Sequence, residues 1–325
     1  MSEFKRRLDR IERLKSLATS SDENWWKELL RFWRPSGTDA GTHGLRLAIR
    51  DNYLNFYRRG QSVARVAFDQ NGDPYASVHL KYLGAKGKNA EGYARLKGGA
   101  FSSQGRNFSK DYEPGKSFPE IIEKTSEWSG REKYFVDLAV AHNDSVVDLE
   151  IGLPRLVGAE GGAPRMDLAL LEQSGSNGQV KVVFWEAKTI DDGRLRAFDP
   201  SDVEVHKQLQ KYVTFMEDER DTNNRRQGVV EAYRASCKLL IELSEMVPQE
   251  NPVTLSPLVK QAARADSDLV VEKRPRLVIF EGQTENKGET CLVKRVSTWD
   301  QKHFPRLSNW QPKVFTDGHN YRLID

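Results

Sequence analysis

Two apolar runs of strand length dominate the hydrophobic pattern. Arg165-Met166-Asp167-Leu168-Ala169-Leu170-Leu171 is apolar apart from its charged start and Asp167; Val182-Val183-Phe184-Trp185 ends in Glu186-Ala187-Lys188. The polar, glycine-bearing stretch between them, residues 172–179, is of the kind that joins antiparallel strands. Folding the hairpin about Ser176 and Asn177 places Asp167 opposite Glu186. Side chains alternate across a strand, so Glu186 and Lys188 share one face and Asp167 joins them there. The second run is apolar on both faces, Val182 and Phe184 on one and Val183 and Trp185 on the other, the pattern of a central strand.

The remaining pattern predicts two regions. Residues 3–19 read as an amphipathic helix with Phe4, Leu8, Ile11 and Leu14 or Leu17 on one stripe. Ser21-Asp22 reads as the N-cap of a second helix over 23–32, stopped near Pro35. Residues 45–49, 53–57, 63–68 and 76–82 are strand-like and separated by Asp51-Asn52, Arg59-Gly60-Gln61 and Asn71-Gly72-Asp73-Pro74, which makes an antiparallel meander. Residues 84–116 read as a long basic loop. It carries Lys86, Lys88, Arg95, Lys97, Arg106, Lys110 and Lys116 against Glu91, Asp111 and Glu113. This sets the domain boundary: an N-terminal α+β region over 1–116 and a second domain over 117–325.

In the second domain, helices are expected at 118–128 and 131–142, the latter buried through Tyr134, Phe135, Leu138 and Ala139. A strand at 146–153 ends at Pro154, and Gly158, Gly161 and Gly162 lead into the hairpin. A polar loop runs to Pro200, and Ser201-Asp202-Val203-Glu204 forms a capping box for a helix with Val205, Leu209, Tyr212, Val213 and Met216 along one stripe. A helix over 227–246 and a buried strand over 276–280 follow. A helix near 298–308 and short strands at 312–315 and 320–324 close the chain. The fold class is therefore α/β, an αβββαβ core on a mixed central sheet.

Composition changes little in this picture. With 50 Lys and Arg against 47 Asp and Glu in 325 residues, a net charge of +3 does not announce a nucleic-acid binder. Two cysteines, Cys237 and Cys291, are too few for a disulfide framework or zinc site and fit a reducing cytosol. No signal peptide and no apolar run of membrane-spanning length is seen, so the expectation is a cytoplasmic protein with no membrane partner. A Gly-rich phosphate loop is missing, which excludes nucleotide hydrolysis of that type. His79 and His206 are isolated and read as structural. Trp25, Trp26 and Trp33 beside Lys27, Arg31 and Arg34 read either as core flanked by solvated charge or as base-stacking groups. Arg46, Arg50, Arg58, Arg65 and Lys81 are expected on the exposed meander face, as ordinary outward charge or as a duplex platform. If nucleic acid is the partner, the basic loop should contact phosphate.

The chemistry sits at the hairpin's end. Ionised groups closing a buried strand must be paired, neutralised or metal-bound, and two carboxylates suit Mg²⁺ or Mn²⁺. A cation held this way can neutralise developing charge and activate a bound water, given a group that orients or deprotonates that water. Asp167 and Glu186 are candidate ligands, helped by the Ala187 carbonyl. Lys188 either has a pKa lowered by the cation and burial or stabilises charge. Gln208 lies on the stripe with Val205, Leu209 and Tyr212 and faces the sheet. The loop before Asp167 or a substrate backbone is its expected partner. Glu150 and Glu132 are candidate additional acids.

Asp167, then Glu186-Ala187-Lys188, in this order of elements, resembles the PD-(D/E)XK nuclease superfamily with its restriction-endonuclease-like fold. Gln208-Leu209-Gln210-Lys211-Tyr212 is similar to the Gln-x-x-x-Tyr element of RecB-like members. The resemblance covers roughly residues 118–325, and residues 1–116 carry none; Met166 stands where the family has Pro. It implies a Mg²⁺-dependent nuclease, acting on DNA in restriction, phage defence or repair, with Gln208 added to the catalytic set. An RNA-cleaving nuclease and a non-hydrolytic nucleic-acid-binding or scaffold protein are the alternatives. A protein partner or homo-oligomer stays open, and the N-terminal region is expected to set substrate or partner choice.

Overall fold

Phe4 and Leu8 are spaced as on a helix and both are buried, yet the chain around them is not helical. Its backbone bonds instead to a neighbouring turn: Arg7 N–H donates to the Arg50 carbonyl (3.3 Å) and Asn52 N–H to the Arg7 carbonyl (2.9 Å). The computed structural model describes residues 3–103, 107–155, 162–175, 178–196, 203–217, 225–316 and 321–324. Helix α1 spans only Ile11–Thr19. Helix α2 (Trp25–Phe32) is capped by Asn24, whose side chain accepts from Trp26 and Lys27 N–H, and not by Ser21-Asp22. Trp25, Trp26 and Trp33 are buried, with Trp26 edge-on to Phe56 at 6.2 Å, so they are core and not base-stacking groups.

The meander is longer than its hydrophobic pattern implies. Strands β1 (Arg46–Ile49), β2 (Leu54–Arg58), β3 (Gln61–Phe68), β4 (Pro74–His79), β5 (Tyr93–Lys97), β6 (Ala100–Ser103) and β7 (Phe108–Asp111) form one antiparallel sheet in chain order. The expected basic loop is thus largely three strands. Their alternation is real, with Ala94, Leu96 and Phe101 buried between exposed Tyr93, Arg95 and Lys97, but charged outward positions disguise it. Arg106 lies outside the described residues, as do Ser176, Asn177, Gly158, Gly161, Pro200, Ser201 and Asp202.

Three of the arginines expected on an exposed face are buried. Arg46 pairs with Asp137 (2.9 Å) and donates to the Pro35 and Thr38 carbonyls. Arg58 donates to the carbonyls of Gly41 and Gly44. Arg50 reaches Asp148 at 2.5 Å. Each guanidinium donates to carbonyls or carboxylates of neighbouring segments, which offsets the cost of its burial, although Arg46 Nη2 and Arg58 Nε stay without a partner among the described residues.

Helix α3 (Ser117–Ser126) packs on β2 and β3. Then follow α4 (Arg131–His142), β8 (Val146–Gly152), β9 (Arg165–Ser174), β10 (Gln179–Thr189), α5 (Glu204–Glu217), α6 (Arg225–Glu245), α7 (Pro257–Ala262), β11 (Leu269–Val271), β12 (Arg276–Phe280), the hairpin β13 (Gly282–Asn286) and β14 (Glu289–Val293), and β15 (Lys313–Phe315). The second sheet runs β15-β12-β10-β9-β8, with β11 beside the start of β10. It is mixed: β8, β9 and β10 are antiparallel, whereas β12 is parallel to both β10 and β15. The order helix, three strands, helix, strand holds, with α6, α7 and β11 inserted before the last strand. A wide π turn and a tighter 3₁₀ stretch occupy 299–310 in place of a regular helix, and 321–324 form no strand. Among the described residues no helix is long and apolar enough to cross a membrane.

A buried charge network joins the two sheets. Asp148 on β8 accepts from Arg50, from Arg6 (3.0 and 2.8 Å) and from Tyr233 (3.2 Å). Burial pushes this carboxyl up, but Arg50 and Arg6 outweigh it and hold it below the usual range. Removing one member of such a pair strands the other charges, which typically costs about 3–5 kcal/mol. Asp148→Ala is therefore expected to lower the urea-unfolding free energy by about that amount; a loss under about 1 kcal/mol contradicts the role assigned to the network.

Candidate active site

The hairpin register is the one its sequence predicts. Val182 faces Leu171 and Trp185 faces Leu168, so the next step sets Glu186 against Asp167. The main-chain ladder stops there. Asp167 Oδ2 accepts the Ala187 N–H at 2.8 Å, replacing a strand carbonyl, while β10 continues along β12 with Ala187 beside Val278 and Lys188 beside Ile279. The Ala187 carbonyl accepts from Lys188 Nζ at 2.8 Å. Lys188 also donates to Glu186 Oε1, as two same-face positions of one strand allow. Exposure is 7% at Asp167, 2% at Glu186 and 1% at Lys188, so water does little to screen these charges.

Neighbouring elements bring more charge to this point. The first turn of α4 supplies Glu132 and Lys133. Lys133 Nζ contacts Asp167 Oδ1 at 2.5 Å and Glu150 Oε1 at 2.8 Å, and Glu132 lies 3.7 Å from Lys188 Nζ. Glu150 stands across β8 from Asp167, between the pairs Leu149–Leu168 and Ile151–Met166, in a register set by an irregularity between Val146 and Asp148. Its φ of +49° is left-handed, a conformation costing a residue with a Cβ on the order of 1 kcal/mol. Gln208 on α5 donates to Glu186 Oε1 at 2.6 Å. Its partner is thus the candidate ligand itself, not the loop before Asp167. Tyr212, one turn on, donates to the Glu272 carbonyl (2.9 Å) and packs on Phe184, anchoring the helix to the sheet.

The structure therefore brings together Asp167, Glu186, Ala187, Lys188 and Gln208 with both additional acids, Glu132 and Glu150. Lys133 and Arg194 went unanticipated. Lys133 had a signal, because a lysine in the first turn of a helix opposes the helix dipole unless carboxylates face it. Arg194 pairs with Asp192 at 2.6 Å and approaches Glu132 at 3.6 Å; its loop carries no pattern that marks it. His79 and His206 lie away from the cluster, His79 against Tyr82 and Tyr93 and His206 against Trp310.

Four carboxylates, Asp167, Glu186, Glu132 and Glu150, thus face two ammonium groups, Lys133 and Lys188, while Asp192 and Arg194 cancel. The formal excess is two negative charges. Its effect is visible in the titration of the group. Burial, then Asp167, pushes Glu186 up to about 8; the same two causes raise Glu132. Asp167 stays low because Lys133 and Lys188 outweigh its burial. For Lys188 burial pulls down, but Glu186, Asp167 and Glu132 together pull harder, and the group stands above its ordinary value. Surrounded by acids and with no cation beside it, the Lys188 side chain is an ammonium ion; burial alone does not lower it.

Among the described residues no three His, Cys, Asp or Glu groups form a ready-made metal cage. The donors that fit a cation are Asp167, Glu186 and the Ala187 carbonyl, a small oxygen set suited to Mg²⁺, which keeps several waters and uses one or two carboxylates. Two observations support the fit. The cluster holds two more carboxyl groups than cationic groups, and Glu186 Oε1 and Ala187 O already converge on one cationic group, the Lys188 ammonium. Compared with protein-family models, curated proteins and solved structures, the chain finds no match, so the site rests on its own geometry.

Proton and cation binding should be linked here. From the ordinary carboxylate value of 4.5 up to about 8, the folded protein holds a proton on Glu186 that the unfolded chain has released, so this group's contribution to stability falls as pH rises through that window. A divalent cation that displaces the proton should raise the melting temperature more near pH 8 than near pH 6, and should release protons in unbuffered calorimetry. Glu186→Gln should abolish both effects. Equal shifts at the two pH values contradict the linkage.

Proposed function

We propose that this chain is a divalent-metal-dependent nuclease of the PD-(D/E)XK kind, acting foremost on DNA. The observation that carries the reading is the meeting of Asp167, Glu186 and Lys188 at the buried point where β9 and β10 part. The placement of Asp on the second strand, Glu-x-Lys on the third and Gln208 on the following helix supports a restriction-endonuclease-like core. Both cysteines are free thiols, which accords with a cytoplasmic setting, and restriction, phage defence and repair are the processes such chemistry serves.

Bound Mg²⁺ or Mn²⁺ would supply Lewis-acid neutralisation of phosphate charge and an acidified water, held by Asp167, Glu186 and the Ala187 carbonyl. The chain's own residues do the rest. Lys133 pins Asp167 Oδ1 and the Ala187 N–H pins Oδ2, which fixes the carboxylate in place. Gln208 holds Glu186 by Oε1 and leaves Oε2 unclaimed among the described residues. Lys188, as an ammonium, donates hydrogen bonds and stabilises charge gathering on the phosphate oxygens in the transition state. A non-hydrolytic nucleic-acid-binding or scaffold protein is the second reading, favoured by the two ammonium groups that already engage both ligands.

Supercoiled and linear DNA, single-stranded DNA and RNA, each incubated with Mg²⁺ or Mn²⁺, decide between the two. Cleavage by wild type is expected, with Asp167→Ala inactive, Lys188→Ala slower by about 10²–10³-fold and Gln208→Ala slower by about 10–100-fold. Cleavage by Lys188→Ala at the wild-type rate refutes the assignment, and silence of wild type on every substrate favours the scaffold.

A further inference from the structure

The outward side of the N-terminal sheet exposes rings and cations that nothing in the fold uses. Four side chains are the large hydrophobics exposed among the described residues, and two of them are Tyr93 (56%) and Trp128 (52%) at one end of this sheet. Arg65 sits over the Tyr53 ring at 3.8 Å and Arg95 over Tyr75 at 4.6 Å. Lys81 Nζ sits 4.1 Å from the Trp128 ring centre. Lys97 at the far end is matched by Asp69 and Asp73, whereas Arg65, Arg95 and Lys81 have no carboxylate partner among the described residues. Register aligns them. Arg65, Ser77, Arg95, Ser102 and Ser109 face one another across five strands, and His79 pairs with Tyr93 one row nearer the chain's second sheet.

That nearer end abuts the acid cluster. Trp128 lies four residues before Glu132 and five before Lys133. The β2–β3 turn at Gly60 touches the same lysine, since a Cβ there would fall 2.7 Å from Lys133 Cγ and 3.1 Å from Glu150 Oε1. With φ at +73° as well, only glycine lets the sheet come so close. Tyr82, whose hydroxyl bonds Gln61 beside this turn, continues the same edge.

We infer that this face, from the Arg65–Arg95 row through Tyr93 to Lys81 and Trp128, is a track for a single-stranded polynucleotide leading toward the acid cluster. Unpaired cations supply phosphate contacts, and rings with exposed faces stack unpaired bases, a combination suited to single strands. A duplex hides its base faces and offers only groove edges. A protein partner fits poorly, because the exposed groups here are rings and cations without aliphatic side chains. Binding by the track stands without the nuclease reading; only its use for delivering substrate rests on that reading.

Fluorescence anisotropy in EDTA, with labelled oligothymidine, oligouridine and a DNA duplex of equal length, tests the track without requiring cleavage. The single strands should bind at least about tenfold tighter than duplex, and the two arms show whether the sugar matters. Tyr93→Ala and Trp128→Ala should each weaken binding about fivefold or more, Tyr93→Phe and Trp128→Phe should retain it, and Arg65→Ala with Arg95→Ala should lower the salt slope by about 1.4. Thermal melts of these exposed-residue variants should match wild type. Duplex bound as tightly as single strand, no binding at all, or alanine variants that bind like wild type each overturn the track. Parallel cleavage assays in Mg²⁺ separate the two readings: unaltered binding and cleavage by the alanine variants removes the track alone, and binding without cleavage by wild type removes the nuclease alone.

Discussion

Buried, incompletely neutralised negative charge is the constraint on which the candidate site depends. Carboxylates leave water only when other groups take over their hydrogen bonds and charge. At the parted ends of β9 and β10 those groups are the Ala187 N–H, the Lys188 and Lys133 ammonium ions and the Gln208 amide. They fall short of four carboxylates, and the raised titration of Glu186 is the measure of the shortfall. A small divalent cation is the species whose charge and oxygen preference match what is missing.

The same electrostatic logic runs through the contact between the sheets. Asp148, on the strand that also carries Glu150, is saturated by Arg6, Arg50 and Tyr233, so it is a closed structural network. Two residues further along, Glu150 has only Lys133 as an ion-pair partner among the described residues and stays raised by burial. One strand thus carries a satisfied acid and an unsatisfied one. The Arg50 hydrogen bond to the Leu149 carbonyl and the close approach of Gly60 to Lys133 tie the first sheet to both.

What the sequence made legible follows from which forces act locally. The hairpin register, the Asp167–Glu186 facing and the order of strands around them rest on two-residue alternation and long apolar runs, and these signals were strong. Glu150 and Glu132 could be placed because strand pairing and helix phase carry a residue to its neighbour. Lys133 is hard to place from sequence because its partners Glu150 and Asp167 come from two other elements, β8 and β9. Arg46, Arg50 and Arg58 were misplaced for a related reason: their burial depends on carbonyls and carboxylates up to about a hundred residues away, which no local periodicity encodes. Strands β5 to β7 resemble loop in sequence because their outward positions are charged, and the N-terminal helix looks longer than it is because Phe4 and Leu8 keep helical spacing while their backbone pairs with a turn.

The central claim is that this charge deficit is a cation site. Titration of the metal-free protein with Mn²⁺, followed by electron paramagnetic resonance, measures it most directly. One tightly bound Mn²⁺ per chain, displaced by Mg²⁺ and lost in both Asp167→Asn and Glu186→Gln, is the result the account requires. Mn²⁺ that stays free in solution, or that binds equally well to both variants, would contradict it.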